Sequence, residues 1–193
     1  MKTKIAFDID GTIADVFTPL KKLLEDDLGR ILPPAEQWSL ENAWNLDKDY
    51  LWQFIEHVMM NPHLIQQFVG VPTIMSLLTY FNDDPVQFVT YRSERYAKYT
   101  KDFLNGILYD IPYNVVHVSD KSDFLLENEF THYVEDRRSE CLKLAGNGII
   151  TFMPSFTYNQ IDGHVDNLIQ LEGGIIELLT YKELFTGGLN WQN

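Results

Sequence analysis

The stretch KIAFDIDGTIAD, Lys4 to Asp15, constrains this chain more than any other part of it. Ile5, Ala6, Phe7 and Ile9 form a short apolar run of the kind that makes a buried parallel strand. Asp8 and Asp10 are set into that run, and side chains two apart on a strand face the same way, so the two carboxylates are expected to converge. Gly11 lets the backbone turn sharply where the strand ends. Two like charges so placed repel unless a cation or a proton sits between them. A single Asp-Gly pair is ordinarily explained by an Asx-type turn. A hydrophobic-D-x-D-G-T pattern on the first strand instead marks a site.

The DIDGT pentad resembles the D-x-D-G-T/V signature of the haloacid dehalogenase-like superfamily, mostly magnesium-dependent phosphohydrolases that work through an aspartyl-phosphate. The resemblance implies that Asp8 is the nucleophile and Asp10 a general acid/base. It also implies three further parts, each at a strand end. In PVQFVTYRSE, Val86, Phe88 and Val89 read as a strand closed by Thr90. A hydroxyl at that place holds the phosphate in the family, together with the backbone N–H of the following residue, here Tyr91, and the T-x-R form is frequent there. Lys121 stands after the strand Val115 to Val118 and before a short helix. On its own it would be a solvated turn residue. The resemblance makes it the lysine that neutralises phosphate and nucleophile, a role suited to a compact charge with three donors. His132, Tyr133 and Val134 read as a strand ending in Glu135 and Asp136, with Arg137 opening a helix. Acids also suit a helix N-terminus with no metal present; the resemblance makes this pair a Mg²⁺ site, with Asp8, Asp136 and the Asp10 backbone carbonyl as ligands and Glu135 as a ligand or a neighbour of one. Mg²⁺ keeps several waters, so few carboxylates suffice.

Composition limits the partners. The 15 basic and 28 acidic residues give a formal charge of -13 over 193 residues, a surface that repels duplex nucleic acid and anionic membranes. A small anion can still bind where local cations reverse the field. The single cysteine, Cys141, excludes an internal disulfide, fits a reducing cytoplasm and reads as a small apolar filler on a helix. No stretch reads as a secretory leader or a membrane span. The pattern leaves the oligomeric state open.

Between the first strand and the next α/β unit, residues 16–68 read as an all-helical insert. Thr18-Pro19 is expected to cap a helix with Leu20, Leu24 and Leu28 on one face and Gly29 as its stop. Leu51, Phe54, Ile55 and Val58 mark a second amphipathic helix ending before Asn61-Pro62. An insert at this point corresponds to the family's C1-type cap over the active site; otherwise it is an ordinary helix pair packed on the core. Its aromatics, Phe17, Trp38, Trp44, Trp52 and Phe54, read singly as core residues, yet one or two facing the cleft would suffice to stack a base, with Trp44 and Phe17 as first candidates. Helices are expected over Val71 to Phe81 and, capped by Ser93, over SERYAKYTKDFLNGI. His117 reads as a satisfied strand histidine. A strand from Ile149 to Phe152 leads through a loop to a closing helix bearing Ile175, Leu178 and Leu179, and GGLNWQN reads as a loose tail.

Strands and helices alternate outside the insert, which predicts a doubly wound α/β fold with a mostly parallel sheet: core 1–15 and 69–193, cap 16–68. Ligands of such sheets bind at the carboxyl ends of the strands, where every motif falls. Within the superfamily the chain is most similar to the 5'(3')-deoxyribonucleotidase-like group, through DIDGTIAD, the insert that follows it, VEDR, and YNQ after the last core strand. That similarity implies a 5'-nucleotidase acting on (deoxy)nucleoside monophosphates. The competing readings are a phosphatase for sugar phosphates or nucleic-acid 3'-phosphate ends, and a non-catalytic module that binds magnesium and phosphate.

Overall fold

The first strand, β1 (Ile5–Phe7), is only three residues long, because pairing on both sides is soon interrupted by the acids that follow it. The Asp8 N–H still donates to the Val134 carbonyl at 2.8 Å, so Asp8 continues the strand direction by one residue. The computed structural model describes residues 3–82 and 84–185; the predicted tail GGLNWQN lies outside the described residues.

Around β1 are β4 (Val86–Thr90), β5 (Tyr113–His117), β6 (His132–Val134), β7 (Ile150–Pro154) and β8 (Leu168–Leu171). They form one six-stranded sheet in the order β5-β4-β1-β6-β7-β8. Every neighbouring pair is parallel. The chain therefore builds outward from β1 to one edge and then crosses to build the other half, which places the switch point at β1. Alternation along the strands separates the two faces. Phe7, Phe88 and Val134 join one apolar cluster; Ala6, Val89 and Tyr133 join the other. The first cluster takes in α4 (Val71–Asn82) and α5 (Ala97–Leu108) through Ile74, Leu78, Phe103 and Leu104. The second takes in α6 (Lys121–Glu127) and α7 (Arg138–Gly146) through Leu125 and Leu144. Helices thus cover both faces of a parallel sheet, the usual consequence of helical crossovers between parallel strands.

The insert is tethered by a two-stranded ribbon. Here β2 (Ala14–Asp15) pairs antiparallel with β3 (Gln66–Gln67), so the chain leaves and returns at one place. Between them lie α1 (Phe17–Leu28), α2 (Leu40–Trp44) and α3 (Lys48–Met60). Leu20, Leu24, Leu40, Trp44, Leu51 and Val58 bury their side chains in the larger cluster.

Local chemistry corrects several expectations. Helix α1 begins at Phe17, and its first turn is capped by Asp15, whose Oδ1 accepts from the Thr18 N–H at 3.0 Å; Pro19 sits within the first turn. Gly29 does end the helix, at φ +63°. Ser93 makes no side-chain cap, and a 3-10 turn over Glu94–Tyr96 precedes α5. The closing segment contains a strand, β8, that the sequence pattern did not suggest, and Ile175–Thr180 is a 3-10 turn instead of an α-helix. Tyr181, at ψ 80°, ends that turn, and a second 3-10 turn over Lys182–Phe185 follows.

Candidate active site

The carboxyl end of the sheet gathers the acids, the threonine and the lysine of the four motifs. Asp8 and Asp10 follow β1, Thr90 ends β4, Lys121 opens α6 after β5, and Glu135 and Asp136 follow β6. Asp120 caps α6 by accepting from the Asp123 N–H at 3.1 Å, which fixes the helix start that aims Lys121 inward.

Lys121 is the hub. Its ammonium lies 2.8 Å from Asp8 Oδ1 and 2.6 Å from Glu135 Oε2, and all three side chains are buried. Burial alone would lower the Lys121 pKa, but the charges of Asp8 and Glu135 outweigh it and hold the ammonium protonated well above its ordinary range. The Tyr91 ring covers the ammonium at 4.6 Å. Tyr91 is itself anchored by donating to Glu140 Oε2 at 2.9 Å, while Ser122 donates to Oε1 of the same buried acid at 2.7 Å. Its phenol is pushed up to about 12, by burial first and then by Glu140.

One ammonium does not balance the acids around it. Carboxylate oxygens of Asp8, Glu135 and Asp136 lie within 4.8 Å of one another, a spacing that can hold a metal ion. Burial and the mutual charges raise the pKa of Asp8 and of Asp136 well above the carboxylate range, against the lowering effect of Lys121 on Asp8 and of Tyr158 on Asp136. Asp136 accepts from the Tyr158 hydroxyl through Oδ2 at 2.7 Å, and Asn159 donates to the Asp136 carbonyl at 2.8 Å. The other oxygen, Asp136 Oδ1, is buried without a hydrogen-bond partner among the described residues. A buried, unpartnered carboxylate oxygen beside two more carboxylates fits an oxygen-ligated divalent cation. The approach of backbone to acid is also specific: Gly11 has φ +76°, and a Cβ there would stand 2.0 Å from Asp136 Oδ2.

Asp10 does not join that cluster. Its carboxylate pairs with Arg92, from Nη2 to Oδ1 at 2.6 Å and from Nε to Oδ2 at 2.9 Å. The expected convergence of Asp8 and Asp10 on one cation is therefore corrected: each acid has its own. Asp10's side chain takes no place among the acids that can hold a metal; a backbone-carbonyl role for it stays with the expectation above. Thr90 is buried at the strand tip, where its Oγ1 accepts from the Arg92 N–H at 3.1 Å, leaving the hydroxyl hydrogen free to donate. His117 is satisfied, its Nδ1 2.8 Å from the Arg92 carbonyl. Cys141 is buried on α7, and its thiol donates to the Glu135 carbonyl at 3.2 Å, so it is more than an apolar filler.

A cavity of about 490 Å³ opens over Asp10 and Arg92, between α1–α3 and the sheet. Phe17, Trp38, Trp52, Tyr91 and Tyr96 line it with the cations Lys48, Arg95 and Arg137. Of the two rings first favoured for stacking a base, Phe17 borders this cavity. Trp44 does not serve: it is 3% exposed, and its indole N–H donates to the Pro33 carbonyl at 2.9 Å. A tryptophan with a satisfied N–H and a filled apolar pocket is a core residue.

Arg92, Glu140, Tyr158 and Asn159 were not assigned roles from sequence. The TYR and YNQ triplets held the signal for Arg92, Tyr158 and Asn159; nothing in a helical Glu140 distinguishes it from a surface acid.

Neither a family profile nor any curated protein matches the chain. Solved structures do match in shape. A haloacid dehalogenase-like family hydrolase from Streptococcus pneumoniae aligns over 93% of this chain and 98% of its own, at 17% identity and a TM-score of 0.64. CbbY from Rhodobacter sphaeroides, solved in complex with phosphate, aligns over 92% and 96%, at 14% identity and 0.58. A phosphatase of the haloacid dehalogenase-like class from Thermococcus onnurineus aligns over 94% and 97%, at 18% identity and 0.55. The chain shares the haloacid dehalogenase-like fold.

Gly11→Ala is expected to destabilise the protein by at least about 1–2 kcal/mol, the cost of a left-handed non-glycine residue, with displacement of Asp136 in addition. Chemical denaturation checks this, and a change under about 0.5 kcal/mol would contradict the close approach.

Proposed function

We propose that this protein is a phosphomonoester hydrolase that works through a phosphoaspartate on Asp8, and that its substrates are nucleoside monophosphates. The observation that carries the reading is the buried Asp8 carboxylate held by Lys121 at the tip of β1, beside a second acid, Asp10, that faces an aromatic-lined cavity.

Phosphate monoesters hydrolyse very slowly in water, so the reaction gains from division into two steps. In the first, an Asp8 oxygen bonds to phosphorus as the ester oxygen departs, and Asp10 gives that oxygen its proton. In the second, Asp10 takes a proton from water, the water oxygen bonds to phosphorus, and the bond to Asp8 breaks. Lys121 and the Thr90 hydroxyl donate to the phosphoryl oxygens as their charge develops. Asp8, Glu135 and Asp136 are the residues that would hold Mg²⁺. When bound there, the ion supplies positive charge that keeps Asp8 ionised and offsets charge on the phosphoryl group.

Residues 16–68 act as the cap in this reading, and the ribbon of β2 and β3 acts as its hinge. Closure of α1–α3 on the sheet excludes water from the first step. Trp38 and Trp52, 40% and 46% exposed, offer faces to a base, and Lys48, Arg95 and Arg137 suit an anionic substrate despite the acidic exterior.

Asp8→Asn is expected to lower kcat by at least ~10³-fold, since the amide is not a nucleophile. Retention of activity within about tenfold, by steady-state assay on p-nitrophenyl phosphate, removes Asp8 from the role. Mg²⁺ is expected to raise the melting temperature of the chelator-treated protein, with a weaker response in Asp136→Asn and at acid pH, where protons compete for the carboxylates. An unchanged melting temperature across a Mg²⁺ titration argues against the metal site. On a panel of monophosphates, nucleotides are expected to exceed sugar phosphates in kcat/KM, and Trp38→Ala or Trp52→Ala to reduce that advantage about tenfold, within the ~1–3 kcal/mol of a stacked base. Sugar phosphates exceeding every nucleotide would overturn the substrate assignment and leave the phosphatase reading standing.

A further inference from the structure

We infer that Arg92 is a positioning residue, which holds the Asp10 carboxylate in the one orientation from which it can serve the leaving-group oxygen. This rests on the phosphatase reading above and adds to it a residue that the mechanism does not otherwise use.

The geometry is that of a fork on a fork. Nε and Nη2 of one guanidinium edge meet the two oxygens of Asp10 at 2.9 and 2.6 Å. Two parallel bonds fix the plane of the carboxylate as well as its position, which a point charge cannot do. Beyond the two nitrogens that face Asp10, the other polar groups of Arg92 are held as well. Nη1 donates to Thr100 Oγ1 on α5 at 3.2 Å, the main-chain N–H donates to Thr90 Oγ1, and the carbonyl lies 2.8 Å from His117 Nδ1. Its side chain is 1% exposed, while that of Asp10 is 20% exposed and borders the cavity. A buried cation held rigidly by the core therefore presents an acid to the solvent side of the cleft. A surface ion pair made for stability would not have this asymmetry, and exposed pairs contribute little.

Orientation matters because, among the described residues, Arg92 supplies the hydrogen bonds to the Asp10 carboxylate. Asp10 lies beyond the end of β1, next to a glycine at φ +76°. Proton transfer requires the acid within hydrogen-bond reach of the departing oxygen, and small misplacements cost large factors in rate.

The test compares leaving groups. An alkoxide needs a proton as it departs, whereas p-nitrophenolate leaves readily as the anion. The readout is kcat/KM, which reports the first, leaving-group step. Wild type, Arg92→Met, Arg92→Lys, Asp10→Asn and the Asp10→Asn/Arg92→Met double variant are assayed with Mg²⁺ on a nucleoside 5'-monophosphate and on p-nitrophenyl phosphate. Arg92→Met is expected to lose roughly 10²-fold or more on the alkyl ester and less than about tenfold on the aryl ester. Arg92→Lys, which keeps the charge without the fork, is expected to show the same bias to a smaller degree. The double variant is expected to be no slower than Asp10→Asn alone. Equal losses on both esters, no loss on either, or multiplicative losses in the double variant would overturn the proposal. Should Arg92→Met fail to fold by circular dichroism, Arg92→Lys and Thr100→Val decide the question by the same ratio. Wild-type protein inactive on both esters would instead overturn the phosphatase reading itself, and this is seen before any variant is compared.

Discussion

The rest of the site depends on one buried ammonium. Lys121 Nζ bridges Asp8 and Glu135 at 2.8 and 2.6 Å, with a third acid, Asp136, close by. Removing one partner of such a pair leaves an uncompensated buried charge and costs about 3–5 kcal/mol, so the arrangement has to be supported on all sides. The sheet supplies that support. β1 and β6 are neighbours, which sets Asp8 beside Glu135, while Lys121 reaches in from the start of α6 beneath the Tyr91 ring. Glu140 holds Tyr91 and Ser122, and the Glu135 carboxylate also accepts from the Arg137 N–H at 3.0 Å through its second oxygen. Every member is thus fixed by a neighbour that belongs to a different strand or helix.

The same network reaches the insert. Tyr158 donates to Asp136, and its ring stacks on Phe17 of α1 at 5.3 Å between centroids and 10° between planes. Phe156 also stacks on the Tyr158 ring, at 5.3 Å between centroids. An aromatic face thus links the acidic cluster to the first helix after the ribbon. In the proposed reading this contact lets the position of α1 and the geometry of Asp136 depend on each other.

What could be read in the sequence, and what could not, divides along the range of the interactions. Strand β6 was legible to the residue, because His132, Tyr133 and Val134 sit between turn residues and an acidic pair. Helix α4 was legible from Ile74 and Leu78 at helical spacing. The gathering of Asp8, Glu135 and Asp136 followed from their places at strand ends in an alternating chain, while Lys121, at a helix start, was placed beside them only by the family resemblance. Pair partners were not legible. That Arg92 takes Asp10, or that Glu140 takes Tyr91, depends on side-chain reach across 82 and 49 residues of sequence, which no local pattern encodes. Strand β8 was missed because its residues, Leu168 to Leu171, are mostly half-buried and carry a polar Gln170. The burial of Trp44 and the cavity placement of Trp38 and Trp52 depend on how three helices pack, which composition alone does not decide.

The most direct measurement of the central claim is the chemical identity of the trapped intermediate. The protein is mixed with substrate, quenched in acid during turnover and reduced with borohydride, which converts a phosphorylated aspartate to homoserine. Peptide mass spectrometry then locates the change. The account predicts homoserine at position 8, dependent on substrate. Homoserine at another aspartate, or none at all during active turnover, would contradict it.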